Sequence, residues 1–475
     1  MKKLLGLITV TAVVWLGSVG FISGKVEGIF DDVLATSEKY MAQTMPYITY
    51  QKNEFTQGFF NSTATSVLTI DAELFDGDES IQVPFKHIIH NGPLLMTDSG
   101  IKLGTSYIES TLDIDALDDD IKDALATLFA NEEPVYSAVT IGFDDRITEA
   151  FKIAAINYNS ADFDGDYEQT RISIDGVTGL ITTDADLTKI SGQTSIGAMH
   201  FSGISELGEK VDIAIESSEF DIDITEMYKG AMLAGSMNVK MPKLSYMDVE
   251  HTVYLNNLTV SSTGENDENL YASNATIDID EIIVKAQDVQ VLPATKLHTQ
   301  FGFGGMDKVK VQSIIDAMNM LQTLELSEEA VSEQQLDAVD NYLSALGHAI
   351  EQGVEINTVF ELSNEKGIAA INFDTLYVDN KPLAELKTIK DLVLALKGLL
   401  KIEIDHPMIA DTPLENVIQT PISMGFAARI GDTYSSTTRW NKGEVTINSQ
   451  DFPLLDIFAN ELEQPLPWVS DFSQQ

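Results

Sequence analysis

The sequence predicts an α+β, β-rich protein: a large, mostly antiparallel sheet, elongated or curled, with a helical hairpin insertion, preceded by one N-terminal transmembrane helix. Three observations carry this. Apolar and polar residues alternate in run after run, two neighbouring segments repeat every three or four residues instead, and the chain opens on an uncharged apolar stretch.

That stretch follows Met1-Lys2-Lys3 and runs from Leu4 to Ser23, about 20 residues, the length that crosses roughly 30 Å of hydrocarbon. Ser18-Val19-Gly20 is a poor small-x-small cleavage site and apolar character resumes at Phe21-Ile22, so residues 1–24 read as an uncleaved signal anchor. Lys2 and Lys3 keep the start in the cytoplasm, and the acidic remainder is expected on the outer side of the membrane. Gly20 and Gly24 form a small-xxx-small pair through which two anchors can pack, a route to a homodimer.

Residues 25–45 read as a helical stalk, with Val26, Ile29, Phe30, Val33 and Leu34 at helical spacing. Over 46–305 the period changes to two. Leu68, Ile70, Ala72 and Leu74 alternate with polar neighbours, as do Val211, Ile213 and Ile215, then Phe220, Ile222 and Ile224, then Ile277 and Ile279. One face of each strand is apolar and the other carries Asp, Ser, Thr and Asn, which predicts antiparallel pairing with one wet face. Helical patterns interrupt at Asp115–Ala130, Asp307–Gln322 and Ser332–Gly353. The last two make an α-hairpin over 306–353; the capping-box sequence Ser332-Glu-Gln-Gln335 opens its second helix, whose stripe of Leu336, Val339, Leu343, Leu346 and Ile350 is expected to pack on the sheet, with a partner or dimer contact as the alternative. Residues 354–475 form a C-terminal β-rich region with short helices.

The 475 residues include 74 acidic and 29 basic side chains, a formal charge of −45. Such a surface repels phosphates, so nucleic acid is excluded as a partner; the charges are spread along the chain and serve solubility. The absence of cysteine removes disulfides, thiolate nucleophiles, Cys-type zinc sites and a lipoprotein anchor. No Gly-x-Ser-x-Gly, His-Glu-x-x-His or phosphate-loop pattern occurs, so the chain is expected to be non-enzymatic and without a cofactor. His87 and His90 are three apart at a strand end and turn, a poor arrangement for a shared metal. Asp162-Phe-Asp164-Gly165-Asp166-Tyr-Glu168 misplaces the glycine of a calcium loop, and Asp118-Asp119-Asp120 reads as a solvated acidic turn.

An anchor ending in Ser23-Gly24-Lys25-Val26-Glu27, then Tyr50-Gln51, Gly58-Phe59-Phe60-Asn61-Ser62 and Ile88-Ile89-His90-Asn91-Gly92-Pro93-Leu94, resembles the YdgA/YihF-like family of Gram-negative envelope proteins, whose molecular function is not established. The resemblance extends, in the order of elements, over nearly the whole chain. It implies an inner-membrane anchor, a periplasmic body and a role in the envelope, with a link to surface motility. Where many relatives have His-Gly-Pro, this chain has Asn91-Gly92-Pro93, so a catalytic base at that position does not carry over. The residues themselves read as a structural turn, Asn and Gly accepting positive φ and Pro fixing its own.

Three functions follow as expectations. The first is an envelope scaffold or assembly factor with protein partners. The second is a lipid-binding or lipid-transfer protein that holds phospholipid in an apolar groove of the sheet; the third is a carboxylate-based hydrolase. An open apolar face favours lipid, a filled core the scaffold, and a pocket of convergent carboxylates with shifted pKa the enzyme.

Overall fold

The computed structural model describes residues 27–28, 30–31, 35, 48–71, 80–97, 100–162, 170–204, 208–229, 231–267, 269–287, 289–322 and 333–466. The expected anchor over 4–23, with Gly20 and Gly24, most of the stalk, Ser332 and the acidic run Asp164–Glu168 lie outside the described residues. No helix among the described residues is long and apolar enough to cross a membrane. The chain divides into two compact units, residues 1–230 with 246–249 and residues 231–245 with 250–475.

The first unit contains β1 (Ile48–Thr56), β2 (Asn61–Ile70), β3 (Ile81–Asn91), the small hairpin β4 (Leu94–Thr97) and β5 (Gly100–Leu103), β6 (Ser106–Leu112), helix α1 (Asp119–Leu128), β7 (Val135–Ile141), β8 (Ile147–Ile153), β9 (Ile156–Asn159), β10 (Arg171–Ile174), β11 (Val177–Thr183), β12 (Ile190–Ile196), β13 (Met199–Ile204), β14 (Lys210–Ile215) and β15 (Ser218–Tyr228). Antiparallel pairs run β1-β2-β3-β6-β7-β8-β11-β12-β15. A second ladder runs β9-β10-β13-β14. The two ladders are one meander of four long strands, each interrupted by a two-residue break, at 154–155, 175–176, 197–198 and 216–217. A crease therefore crosses the sheet at one level. Pairing holds on both sides of it, Ile153 opposite Val177 and Ile156 opposite Ile174. Gly176 turns the crease at φ +94°, where a Cβ would also stand 2.8 Å from the Ile153 carbonyl oxygen.

Ala64, Ile89, Ile108 and Ile141 meet on one face of the early strands around Phe30, which is 2% exposed. Tyr50 on β1 is pushed up first by burial, against the lowering effect of its bond from Ser66, and the charge of Glu149 on β8 adds to the rise. On the other face Leu95 of the small hairpin packs on Tyr107 and Ala138.

The second unit contains β16 (Ala231–Met247), β17 (His251–Asp267), β18 (Leu270–Ala286), β19 (Val289–Gln290), β20 (Thr295–Asp307), α2 (Lys308–Gln322), α3 (Glu333–Ala349), β21 (Glu355–Asn364), β22 (Gly367–Tyr377), α4 (Ile389–Ala395), β23 (Leu396–Asp405), short helices over 406–423, β24 (Ala428–Ile430), β25 (Thr433–Asn441), β26 (Glu444–Ile447) and β27 (Gln450–Phe452). Antiparallel pairs run β17-β18-β20-β21-β22-β23-β25-β26-β27. The strands on either side of the α-hairpin pair directly, so the hairpin is inserted into a continuous sheet.

The Asp307 carboxylate caps α2 by accepting from the Val309 and Lys310 amides. The stripe of α3 departs from expectation by one residue: Gln335 and Ala338 are buried while Leu336 and Val339 are exposed. The physical reason is the neighbour. The helix packs on α2 and on the turn at Leu383–Glu385 instead of on the sheet, and small residues on its buried side allow that approach, Gly347 lying where a Cβ would be 3.1 Å from Ala384 Cβ.

Candidate functional site

Register in the second unit decides which side chains share a face. From β18 to β25, one cross-strand row is Ile277, Thr299, Phe360, Ile371, Ile402 and Ser436; the next is Ala275, Phe301, Thr358, Phe373, Leu400 and Thr438. Flanking positions on this face are Ile279, Leu297, Leu362, Ala369, Ile404 and Tyr434 on one side, and Ser273, Phe303, Ile356, Thr375, Gly398 and Trp440 on the other. None is charged. Trp440 lies over Gly398, whose missing Cβ would be 2.4 Å from its ring, and stacks on Phe373 at 5.7 Å. The opposite face carries Asp278, His298, Glu361, Asp374, Lys401, Glu403 and Arg439. The predicted single wet face is present in the pattern of residues, yet the apolar face is itself open: Phe301 is 49% and Ile371 41% exposed, with Ile277 and Phe360 close behind.

The meander of the first unit repeats this. Beyond the crease, Ile156, Tyr158, Ile172, Ile174, Met199, Phe201, Ile213 and Ile215 share a face without charge, opposite Asn157, Arg171, His200 and Asp212. One surface depression in each unit is lined largely by polar groups, in the first by Gln193 and Glu219 and in the second by Glu355, Asp374, Lys397 and Arg439.

The motif residues converge at one end of the first unit. Asn91 closes β3, and its side-chain amide donates to the carbonyls of Gly58 (3.1 Å) and Phe59 (3.0 Å). Its backbone amide donates to Phe60 O, and Gly92 N to Thr105 O, both at 2.8 Å. Ser62 Oγ accepts from Gly58 N at 3.2 Å. The Gly92-Pro93 peptide is cis, and neither Asn91 nor Gly92 has positive φ. Glycine is required at 92 by proximity instead: a Cβ would stand 1.9 Å from Gly104 O. Gly92→Ala is therefore expected to lower unfolding stability by about 2–3 kcal/mol, since backbone must move to admit the methyl; equilibrium urea unfolding measures it.

His87 and His90 face opposite sides of β3, as odd spacing on a strand requires, and have separate partners. His90 meets Asn61 Oδ1 and Glu109 Oε2, each at 3.1 Å. His87 is buried, its Nε2 2.7 Å from Ser66 Oγ and its Nδ1 2.7 Å from Ser110 Oγ. Ser66 donates to the Tyr50 hydroxyl at 2.9 Å. Burial pushes the His87 imidazole down to about 4.

A family model described as a bacterial protein of unknown function, DUF945, matches residues 1–455. The chain belongs to that family. Its YdgA/YihF-like resemblance is consistent with this membership. No curated protein and no solved structure matches.

In this DUF945 chain, the acidic residues with displaced titration among the described residues move down. Asp391 is lowered first by the Lys387 amide and Asp405 by the Thr433 hydroxyl; at Asp184 burial pushes upward but hydrogen bonds from Thr188 and Lys189 outweigh it. These carboxylates cap and brace turns; a general acid needs the opposite displacement. Asp118 precedes α1 as its N-cap, with Asp119 and Asp120 in the first turn, where acidic side chains favour the helix dipole. No cluster of three metal-ligating side chains occurs among the described residues. The sequence missed the open apolar face as a unit, because only strand register assembles Phe301, Phe360 and Ile371 into neighbouring rows.

Proposed function

We propose that this protein is an envelope lipid-binding protein, held in the inner membrane through residues 4–23 with its body in the periplasm, that takes acyl chains along the uncharged face of β18–β25. The observation that carries the reading is the open row through Ile277, Phe360 and Ile371 in a chain of net charge −45. Contiguous exposed apolar surface of this kind marks a binding site. Six strands place five spacings along the row, roughly 24 Å at ~4.8 Å each, enough for an acyl chain, which spans half of a ~30 Å hydrocarbon core. Threonine hydroxyls are the only polar groups interleaved with the two central rows as far as β23, which suits a hydrocarbon guest better than a peptide backbone seeking hydrogen bonds.

A photo-cross-linking residue in place of Phe360, in cells whose phospholipid is labelled with phosphorus-32, tests this directly. Label is expected on the protein at 360 and not with the same residue in place of Glu361, its neighbour on the charged face. A protein adduct at 360 in place of lipid would instead establish the assembly-factor reading.

A further inference from the structure

At the end of the first unit where the motif residues meet, several large apolar side chains point into solvent. Phe59 and Phe60, packed edge to face at 4.8 Å, occupy the β1–β2 turn. Phe143 occupies the β7–β8 turn, which Thr105 ties to the same end through its bonds to Ile141 O and Gly142 O. The hairpin β4–β5 lies beside them and is amphipathic in an unusual sense. Leu95 is its buried anchor, while Leu94 and Leu103, paired across the hairpin, and Ile101 face outward, the last two 69% and 68% exposed. These groups come from three separate segments and protrude from one end, the arrangement of side chains that enter the edge of a bilayer.

Chain length says which surface is within reach. Phe30 is buried against Phe55 and His87, and Lys52 on β1 pairs with Glu27 and Asp31. Glu27 stands four positions after Ser23, so at most ~14 Å of extended chain separates the end of the apolar run from Glu27, and the Glu27–Lys52 ion pair spans the further length of two side chains to β1. From Lys52 to Thr56, beside the rim, is another ~13 Å of strand. The loop end of the first unit therefore lies within about 40 Å of the membrane exit. We infer that this rim of Phe59, Phe60, Leu94, Ile101, Leu103 and Phe143 seats the first unit on the outer surface of the bilayer. The inference rests on the proposed membrane anchoring. Asp144 and Asp145, which follow Phe143, limit insertion to the headgroup boundary, since carboxylates stay in water.

The chain has no cysteine, so Ile101→Cys, Leu103→Cys and, as control on the polar face of β12, Gln193→Cys each carry one thiol for an environment-sensitive fluorophore. The full-length protein is reconstituted into phosphatidylcholine vesicles with or without doxyl-labelled lipid, then washed in alkaline carbonate. Labels at 101 and 103 are expected to shift to the blue and to lose at least half their emission to doxyl lipid, with the label at 193 unchanged. Retention on the vesicles with no more quenching at 101 and 103 than at 193 overturns the rim alone. A blue shift without quenching by lipid means burial against protein and also overturns it. Release by carbonate overturns the anchor, and the rim inference falls with it.

Discussion

Ile371→Asp will reduce lipid cross-linking from position 360 at least tenfold while moving the unfolding midpoint by no more than a few degrees. Ile371 is paired directly with Phe360, and an acyl chain lying along the row must cover both. Covering a carboxylate removes it from water, which costs several kcal/mol unless it takes up a proton or finds a partner; ~1.4 kcal/mol already gives the tenfold loss. In the free protein the same side chain is 41% exposed, so the folded state has little burial to lose and the substitution behaves as a surface change. The separation of the two effects is the test. A variant that unfolds as readily as it loses lipid would mean that Ile371 belongs to a filled core, and the groove reading would be withdrawn.

The strands were legible because their alternation is strong. Val211, Ile213 and Ile215 became β14, Phe220, Ile222 and Ile224 became part of β15, and the helices of the inserted hairpin begin where their periodicity begins. The crease was hidden in a phase slip: Ile153 and Ile156, Ile174 and Val177, Ile196 and Met199 are each three apart, which breaks a period of two at the same level in neighbouring strands. A single strand shows only an irregularity; the register makes it a line. Asn91 reads in the sequence as part of a turn; its place as the last residue of β3 and its actual role were hidden, since the sequence shows nothing of the two carbonyls its side chain bonds. The buried face around Phe30 was harder still. Its inward positions include Ser62, Ser66 and Ser106, polar residues that a period-two reading assigns to solvent, and Ile88-Ile89 offers either phase for β3. A buried histidine flanked by serines is therefore invisible to alternation.

That histidine gives the sharpest solution signature. Ser66 donates to Tyr50, which leaves His87 Nε2 to donate to Ser66 and Nδ1 to accept from Ser110. The neutral ring is thus satisfied at both nitrogens, and a second proton would put a charge among Phe30, Ser66 and Tyr50 on a side chain that is 3% exposed. The folded-state pKa of about 4 lies below the ordinary value of 6.5. Above pH 6.5 both folded and unfolded chains hold the ring neutral and the full stability is present. As pH falls from 6.5 toward 4, the unfolded chain takes up a proton that the folded chain refuses, so stability declines, by on the order of 3 kcal/mol across the window. Asp391 and Asp405, held down by hydrogen bonds, contribute only as pH falls below the carboxylate range. Urea unfolding of the wild type is expected to show this loss between pH 6.5 and 4. His87→Gln should begin less stable at neutral pH by about 1–3 kcal/mol, because Ser66 and Ser110 lose well-placed partners, and should then show a flatter dependence through the same window. Parallel curves for the two proteins would assign the acid sensitivity to other groups and remove His87 from the account.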